Sequence, residues 1–341
     1  MYRREFLQPS LLKPPAEPRL PNPASESTVL LHLRRQAMAT QFEIVLPFGT
    51  PDAISMNEDA FDLLDCLEEQ MTVYRETSEI SRLNRRAFGS CVRVEARLFQ
   101  LLETAARIHR ETEGAYDITT GALIKLWGFF RGPRRVPTEE EREAARERVG
   151  MDKLTLDPQS RTVRYERPGV EINLGSIGKG YALDRMARKL REKWGCGRVL
   201  LHGGTSSVYG GGSPPNDERG WQVAIVHPWD RSRRLARVWL RDRALGTSAA
   251  THQHLEYNGR KLGHLLDPRT GWPASGLASV SVLAPSAAEA DALSTAFYVG
   301  GVEMAERYCA AHPNVAALLL ADGEDATALA LGLRSQEFAW N

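Results

Sequence analysis

Asp291, Ser294 and Thr295 stand at i, i+3 and i+4 in the run EADALSTAFYVGG, the spacing at which side chains meet on one face of a helix. One carboxylate beside two small neutral oxygens suits a hard cation such as Mg²⁺ or Ca²⁺ far better than zinc, which prefers nitrogen and sulfur. The same trio could equally form the polar edge of an amphipathic helix. A second candidate is VEINLGSIGKGYALD, residues 170–184, where a short strand passes through a glycine turn into a helix start. Free amides at a helix N-terminus favour phosphate. A Walker loop is ruled out, because the glycine spacing fails at Asn173 and Gly180 stands where Ser or Thr should follow the lysine. A third is HLLDPRTG, residues 264–271, in which His264 leads a turn built by Asp267, Pro268, Thr270 and Gly271. A lone histidine at a strand end also serves as a structural residue.

These pieces, with Gly203-Gly204 and Thr247-Ser248 between them, occur in one order. Together they resemble the ApbE family, the FAD:protein FMN transferases. Its members carry a glycine-rich segment entering Lys-Gly-Tyr-Ala-x-Asp, then Gly-Gly, Thr-Ser, His-x-x-Asp-Pro-x-Thr-Gly and Ala-Asp-Ala-x-x-Thr. The likeness runs from about residue 38 to the C-terminus.

The resemblance implies an α+β fold, T-fold-like, with FAD between subdomains. It also implies transfer of FMN from FAD to a Ser or Thr hydroxyl of an acceptor protein through a phosphoester, with release of AMP. On this reading Mg²⁺, or Ca²⁺, is held by Asp291, Ser294, Thr295 and the backbone carbonyl of Ser176. Met38, Tyr74, Ala115, Tyr116, Asp117, Asn173, Lys179 and Leu265 would contact FAD. His264 would be the general base, since an imidazole near neutrality can take a proton from a hydroxyl. Three of these have a plainer role available: core filling for Met38, packing for Tyr74 and helix capping for Asp117. His252 and His254 are nearby rivals of His264 that the motifs do not include. The chain departs from the pattern at Asn173 and Thr205, where relatives have Asp, at Ser176, where they have Gly or Ala, and at Ala249-Ala250, where they have Gly-Asp. Two other readings stay open, an FAD pyrophosphatase yielding FMN and AMP, and a non-catalytic FAD-binding protein.

The elements that must position these groups read as follows. Residues 28–33 and 40–46 are paired strands. Residues 52–69 form a helix with Ile54, Phe61, Leu64 and Leu67 as its apolar stripe, and 95–113 a second helix ending at Gly114. A charged helix at 138–149 opens with a Thr138/Glu141 capping box. A hairpin spans 154–165, a strand 171–174 and a helix 179–194. Strands follow at 198–201, 206–209, 221–226, 235–240 and 277–283. After Pro285 come the helix bearing Asp291, a helix at 302–312, and strands at 315–320 and 334–339. Strands and helices without steady βαβ alternation point to α+β architecture.

A chain of 341 residues, 42% hydrophobic, can bury a sizeable core. With 44 basic and 43 acidic residues it carries no bias toward nucleic acid or anionic membrane. Cys66, Cys91, Cys196 and Cys309 form no CxxC pair, which argues against a zinc site or disulfide framework. Residues 1–27 read as a disordered leader, with the flavin transferase domain at 28–341. Arg3-Arg4-Glu5-Phe6-Leu7 looks like a twin-arginine signal, but Lys13, Pro14, Pro15 and Pro18 occupy the place of its apolar region. No cysteine precedes Cys66 to carry a lipid, and no apolar run has transmembrane length. The expectation is a cytoplasmic protein, with periplasmic export through a degenerate signal as the alternative.

Overall fold

The computed structural model describes residues 29–230, 232–249, 254–257, 259–323 and 327–340, so the leader and His252 lie outside the described residues. In chain order, β1 (Leu30–Ala37) and β2 (Thr40–Pro47) precede α1 (Ala53–Met71), α2 (Glu79–Arg86), β3 (Val92–Arg93), α3 (Ala96–Glu111), α4 (Gly121–Leu126) and α5 (Glu139–Arg146). Next come β4 (Leu154–Asp157), β5 (Thr162–Tyr165), α6 (Gly178–Trp194), β6 (Val199–Gly203), β7 (Ser207–Gly211), β8 (Trp221–Val226), β9 (Arg234–Leu240) and β10 (Arg243–Ala249). The rest is β11 (His254–Tyr257), β12 (Arg260–Gly263), β13 (Leu277–Ala284), α7 (Ala287–Gly300), α8 (Val302–Ala311), β14 (Ala316–Ala321), β15 (Ala328–Leu331) and β16 (Phe338–Trp340).

An eight-stranded sheet in the order β1-β2-β6-β7-β10-β13-β14-β15 forms the spine, and all its pairings are antiparallel. Period-2 alternation explains β2: Phe42, Ile44 and Leu46 enter the main core, while Val45 joins a second cluster on the other face. Helices α1, α6 and α7 cover the first face. The small sheet β16-β9-β8 covers the second, placing Trp221, Ile225, Val238 and Leu240 against Val45, Leu200 and Leu283. Covered on both sides, β13 is buried at every residue, as a doubly packed strand must be. Mixed helices and antiparallel sheets make the fold α+β. A third, smaller cluster of Leu123, Trp127, Ala145, Val149 and Leu266 ties α4 and α5 to the loop after β12.

Three expectations are corrected. In α1, Phe61, Leu64 and Leu67 of the expected stripe are buried, but Ile54 is 70% exposed, because the inward face of the helix runs through Met56 and Ala60 in its first turns. The stretch 171–174 is not a strand beyond one bridge, Thr120 to Glu171. The Asn84 amide takes the place of a neighbouring strand there, donating to the Ile172 carbonyl and accepting from its N–H. Near the C-terminus β15 adds an edge strand, and the last strand is Phe338–Trp340.

Candidate active site

Helix α7 approaches its neighbours closely because two glycines allow it. A Cβ on Gly180 would lie 2.0 Å from the Ala287 carbonyl oxygen, and one on Gly246 would lie 2.4 Å from the Ala290 carbonyl carbon. The approach puts the Gly180 N–H 2.8 Å from Asp291 Oδ2. From β7, the Ser207 hydroxyl donates to Asp291 Oδ1 and Oδ2 at 2.7 and 2.9 Å. Burial pushes the Asp291 pKa up, opposed by the Lys179 charge and by these hydrogen bonds. Ser294 and Thr295 donate to the Asp291 carbonyl at 2.9 and 3.3 Å, and Ser248 Oγ on β10 lies 2.9 and 3.2 Å from their oxygens. The expected trio therefore shares one face, completed by serines from two strands.

This corner fits a hard cation by its donor set. It offers a buried carboxylate in no ion pair among the described residues, hydroxyls, and no sulfur or imidazole. A carboxylate has about four lone-pair sites, more than Ser207 and Gly180 occupy. Among the described residues no cluster of three or more His, Cys, Asp or Glu could hold a metal, so hydroxyl and carbonyl oxygens must complete any such site. Behind it, Asp184 on α6 caps α7, accepting from Ala287 N–H at 2.7 Å, Ala288 N–H at 2.9 Å and the Ser286 hydroxyl at 2.7 Å. Burial outweighs these bonds and raises Asp184 to about 6.

Across a cavity of about 500 Å³ stands a different wall, built from the loop after β12 and the exit of α4. Asp267 shapes that loop: its carboxylate binds the Arg269 guanidinium at 2.9 Å, and its carbonyl accepts from Gly271 N–H at 2.8 Å. Trp127 Nε1 then holds the Gly271 carbonyl at 2.9 Å. His264 meets Phe129 edge to face, with centroids 6.4 Å apart. The hairpin between β1 and β2 adds a rim, turning through Met38 and Ala39 at φ 49° and 58°, the left-handed geometry that two-residue hairpins need and glycine usually supplies.

The family model of the ApbE family matches residues 38–319. The chain belongs to the ApbE family. It is 32% identical to the FAD:protein FMN transferase of Haemophilus influenzae over 292 residues, covering 82% of this chain and 83% of the relative. The Escherichia coli K12 protein of the same name is 32% identical over 298 residues, covering 84% and 83%. Among solved structures, the flavin transferase ApbE of Vibrio cholerae superposes with a TM-score of 0.78 at 29% identity, covering 89% of this chain and 97% of that one. The ApbE protein of Thermotoga maritima gives 0.79 at 26%, with the same coverage.

Of the residues singled out by likeness to the ApbE family, Met38, Ala115, Asp117, Asn173, Ser176, Lys179, His264, Leu265, Asp291, Ser294 and Thr295 all line the one cavity. Two do not. Tyr74 is 55% exposed and stacks on Phe130, with centroids 4.7 Å apart, under the Arg131 guanidinium. Tyr116 is buried in the core, where its hydroxyl accepts from Ser176 Oγ at 3.4 Å and burial drives its pKa up. Asp117 lines the cavity, but its carboxylate is turned to the protein: Oδ1 accepts from Thr119 N–H at 2.7 Å and Oδ2 from Met151 N–H at 3.2 Å. His109 Nδ1 lies 3.2 Å from the same Oδ2. Burial works against the His109 charge, yet Asp117 and the Tyr116 carbonyl outweigh it and raise the pKa.

The departures from the ApbE pattern are mild in this setting. Asn173 Oδ1 accepts from Gly175 N–H at 2.9 Å, so an amide shapes the glycine turn as a carboxylate could. Ala249 lies within β10, paired with Ser279, and needs no left-handed backbone. Thr205 lines the cavity in the turn after β6. Sequence reasoning missed Ser207 as the partner of Asp291, and Thr40, Ile124 and Phe129 as cavity walls. A serine opening a strand just after Gly203-Gly204 was the one available signal.

Proposed function

We propose that this chain transfers FMN from FAD to a Ser or Thr hydroxyl of an acceptor protein, releasing AMP. The observation that carries this reading is the convergence of the oxygen corner, Lys179 beside the glycine turn, and His264 on one cavity. Breaking a pyrophosphate needs charge neutralisation and positioning more than covalent help from the enzyme. Asp291, Ser294, Thr295 and the Ser176 carbonyl are the residues to hold Mg²⁺, or Ca²⁺ in its place. When bound, the ion withdraws electron density from the phosphoryl oxygens.

Lys179, in the first turn of α6, adds a fixed positive charge on the same side. His264 takes the proton of the acceptor hydroxyl as its oxygen attacks the FMN phosphorus, and the bond to the AMP oxygen breaks in line. Leu265, Met38 and Phe129 line the apolar part of the cavity, which favours the flavin ring.

Incubating the protein with FAD, Mg²⁺ and a threonine-containing acceptor should yield a covalently fluorescent acceptor and one AMP per label. AMP and free FMN without a label would select the hydrolase instead. Bound FAD that survives both additions would select a binding protein. The compartment is a separate proposal: we place the reaction in the cytoplasm, with the periplasm as alternative, and fractionation with and without Arg3 and Arg4 decides between them. No helix among the described residues is long and apolar enough to cross a membrane.

A further inference from the structure

A second cavity, of about 550 Å³, lies on the other side of α4. Lys125, Arg131, Arg135 and Arg148 line it against a single carboxylate, Glu141. Two of these cations are already matched, Lys125 by Glu171 at 2.6 Å and Arg135 by Glu141 at 2.6 Å. Among the described residues, neither Arg131 nor Arg148 is in an ion pair. Arg131 is spread over the Tyr74 and Phe130 rings, 5.5 and 5.3 Å from their centroids, and donates to the Tyr74 carbonyl. These contacts fix the guanidinium without cancelling its charge. Glu141, Ala144 and Ala145 of α5 and Arg148 in the turn after it face the groove, whereas Glu139, Glu140, Glu143 and Glu147 do not line it.

We propose that this groove docks an acidic stretch of the acceptor polypeptide beside the residue that receives FMN. The assignment of the occupant rests on the transferase reading. Helix α4 and the turn after it are the partition between the two cavities: Ile124 and then Phe129 face the reaction chamber, while Lys125, Leu126 and Gly128 face the groove. A helix is about 10 Å across. An extended chain covers that in about three residues. A polypeptide whose hydroxyl reaches His264 over this rim therefore sets its neighbours a few positions away above Arg131 and Arg148. Two unmatched guanidiniums recognise carboxylates there by charge and bidentate geometry.

The test uses the full chain with FAD and Mg²⁺ and two labelled peptides. One carries a single Thr followed a few residues later by a run of Asp and Glu, and the other has Asn and Gln in that run. Fluorescence anisotropy at low salt should show the acidic peptide binding at least about tenfold more tightly. That advantage should vanish in the double variant Arg131→Glu/Arg148→Glu and shrink in Arg131→Gln/Arg148→Gln, with FAD affinity unchanged in both. Equal binding of the two peptides, or an acidic preference that survives both variants, overturns the docking site. Displacement of the acidic peptide by AMP or inorganic phosphate in the unaltered chain overturns it too, by making the groove a phosphate site. FMN transfer with no acidic preference sinks this proposal alone, whereas acidic preference with no transfer to either peptide sinks only the transferase reading.

Discussion

On one side of the reaction cavity, Asp291 and Ser294 are buried, hydrogen-bonded to serines of β7 and β10, on a helix that touches its neighbours at Gly180 and Gly246. On the other side, His264 and Phe129 sit on segments held by a small cluster around Trp127 and Leu266, beside a loop of exposed arginines. The first wall is preorganised by the main core and presents charge-handling oxygens. The second is held by a smaller cluster, and on the proposed reading it is the wall that the acceptor polypeptide meets. Rigid placement suits groups that act on a developing phosphoryl charge. A wall that admits another polypeptide needs less of it.

Asp291→Ala offers the sharpest way to break this contrast. It should lower FMN transfer by about 10³-fold, at the upper end for losing one electrostatic contributor, while circular dichroism stays native. Retained transfer would remove the oxygen corner from the mechanism. On the opposite wall, His264→Ala should cut transfer by about 10²-fold with FAD affinity nearly unchanged. An equal loss of FAD binding would make the histidine a binding group and erase the division between the walls.

Gly180→Ala tests the rigidity of the first wall directly. The added methyl must displace the backbone of α7, so thermal or denaturant unfolding should show a loss of about 1–3 kcal/mol. The same substitution at Gly132, where nothing lies within 4 Å, should cost mainly the strain of its φ of 98°. A smaller effect concerns pH. Because the folded Asp184 pKa is raised, its contribution to stability is complete below the unfolded value of 3.8 and is lost as pH rises through about 6. Asp184→Asn cannot ionise, so its stability should fall less over that window than that of the parent, with Asp291 supplying a residual slope of the same sign. Identical slopes in urea titrations would show that Asp184 is not held neutral by burial.

Much of the cavity was legible in the chain because its parts are local. The i, i+3, i+4 spacing of Asp291, Ser294 and Thr295 needs only a helix, and Thr138 with Glu141 closes the capping box that its spacing predicts. Alternation in β2 marks which residues share a strand face, and the small and apolar residues of β13 suit a strand buried on both faces. Likeness to the ApbE family then linked segments that no local period connects.

What the sequence by itself determined, then, is which residues share a helix face, a strand face or a turn, since φ/ψ periodicity carries that information over a few positions. The tertiary structure alone decided that Ser207 would clasp Asp291 from 84 positions away, that Asp117 would spend its carboxylate on Thr119 and Met151, and that Tyr74 would stack on Phe130 instead of lining the cavity. Those choices depend on how closely packed elements approach, as Gly180 and Gly246 permit for α7, and on which partner reaches a polar group first once water is excluded.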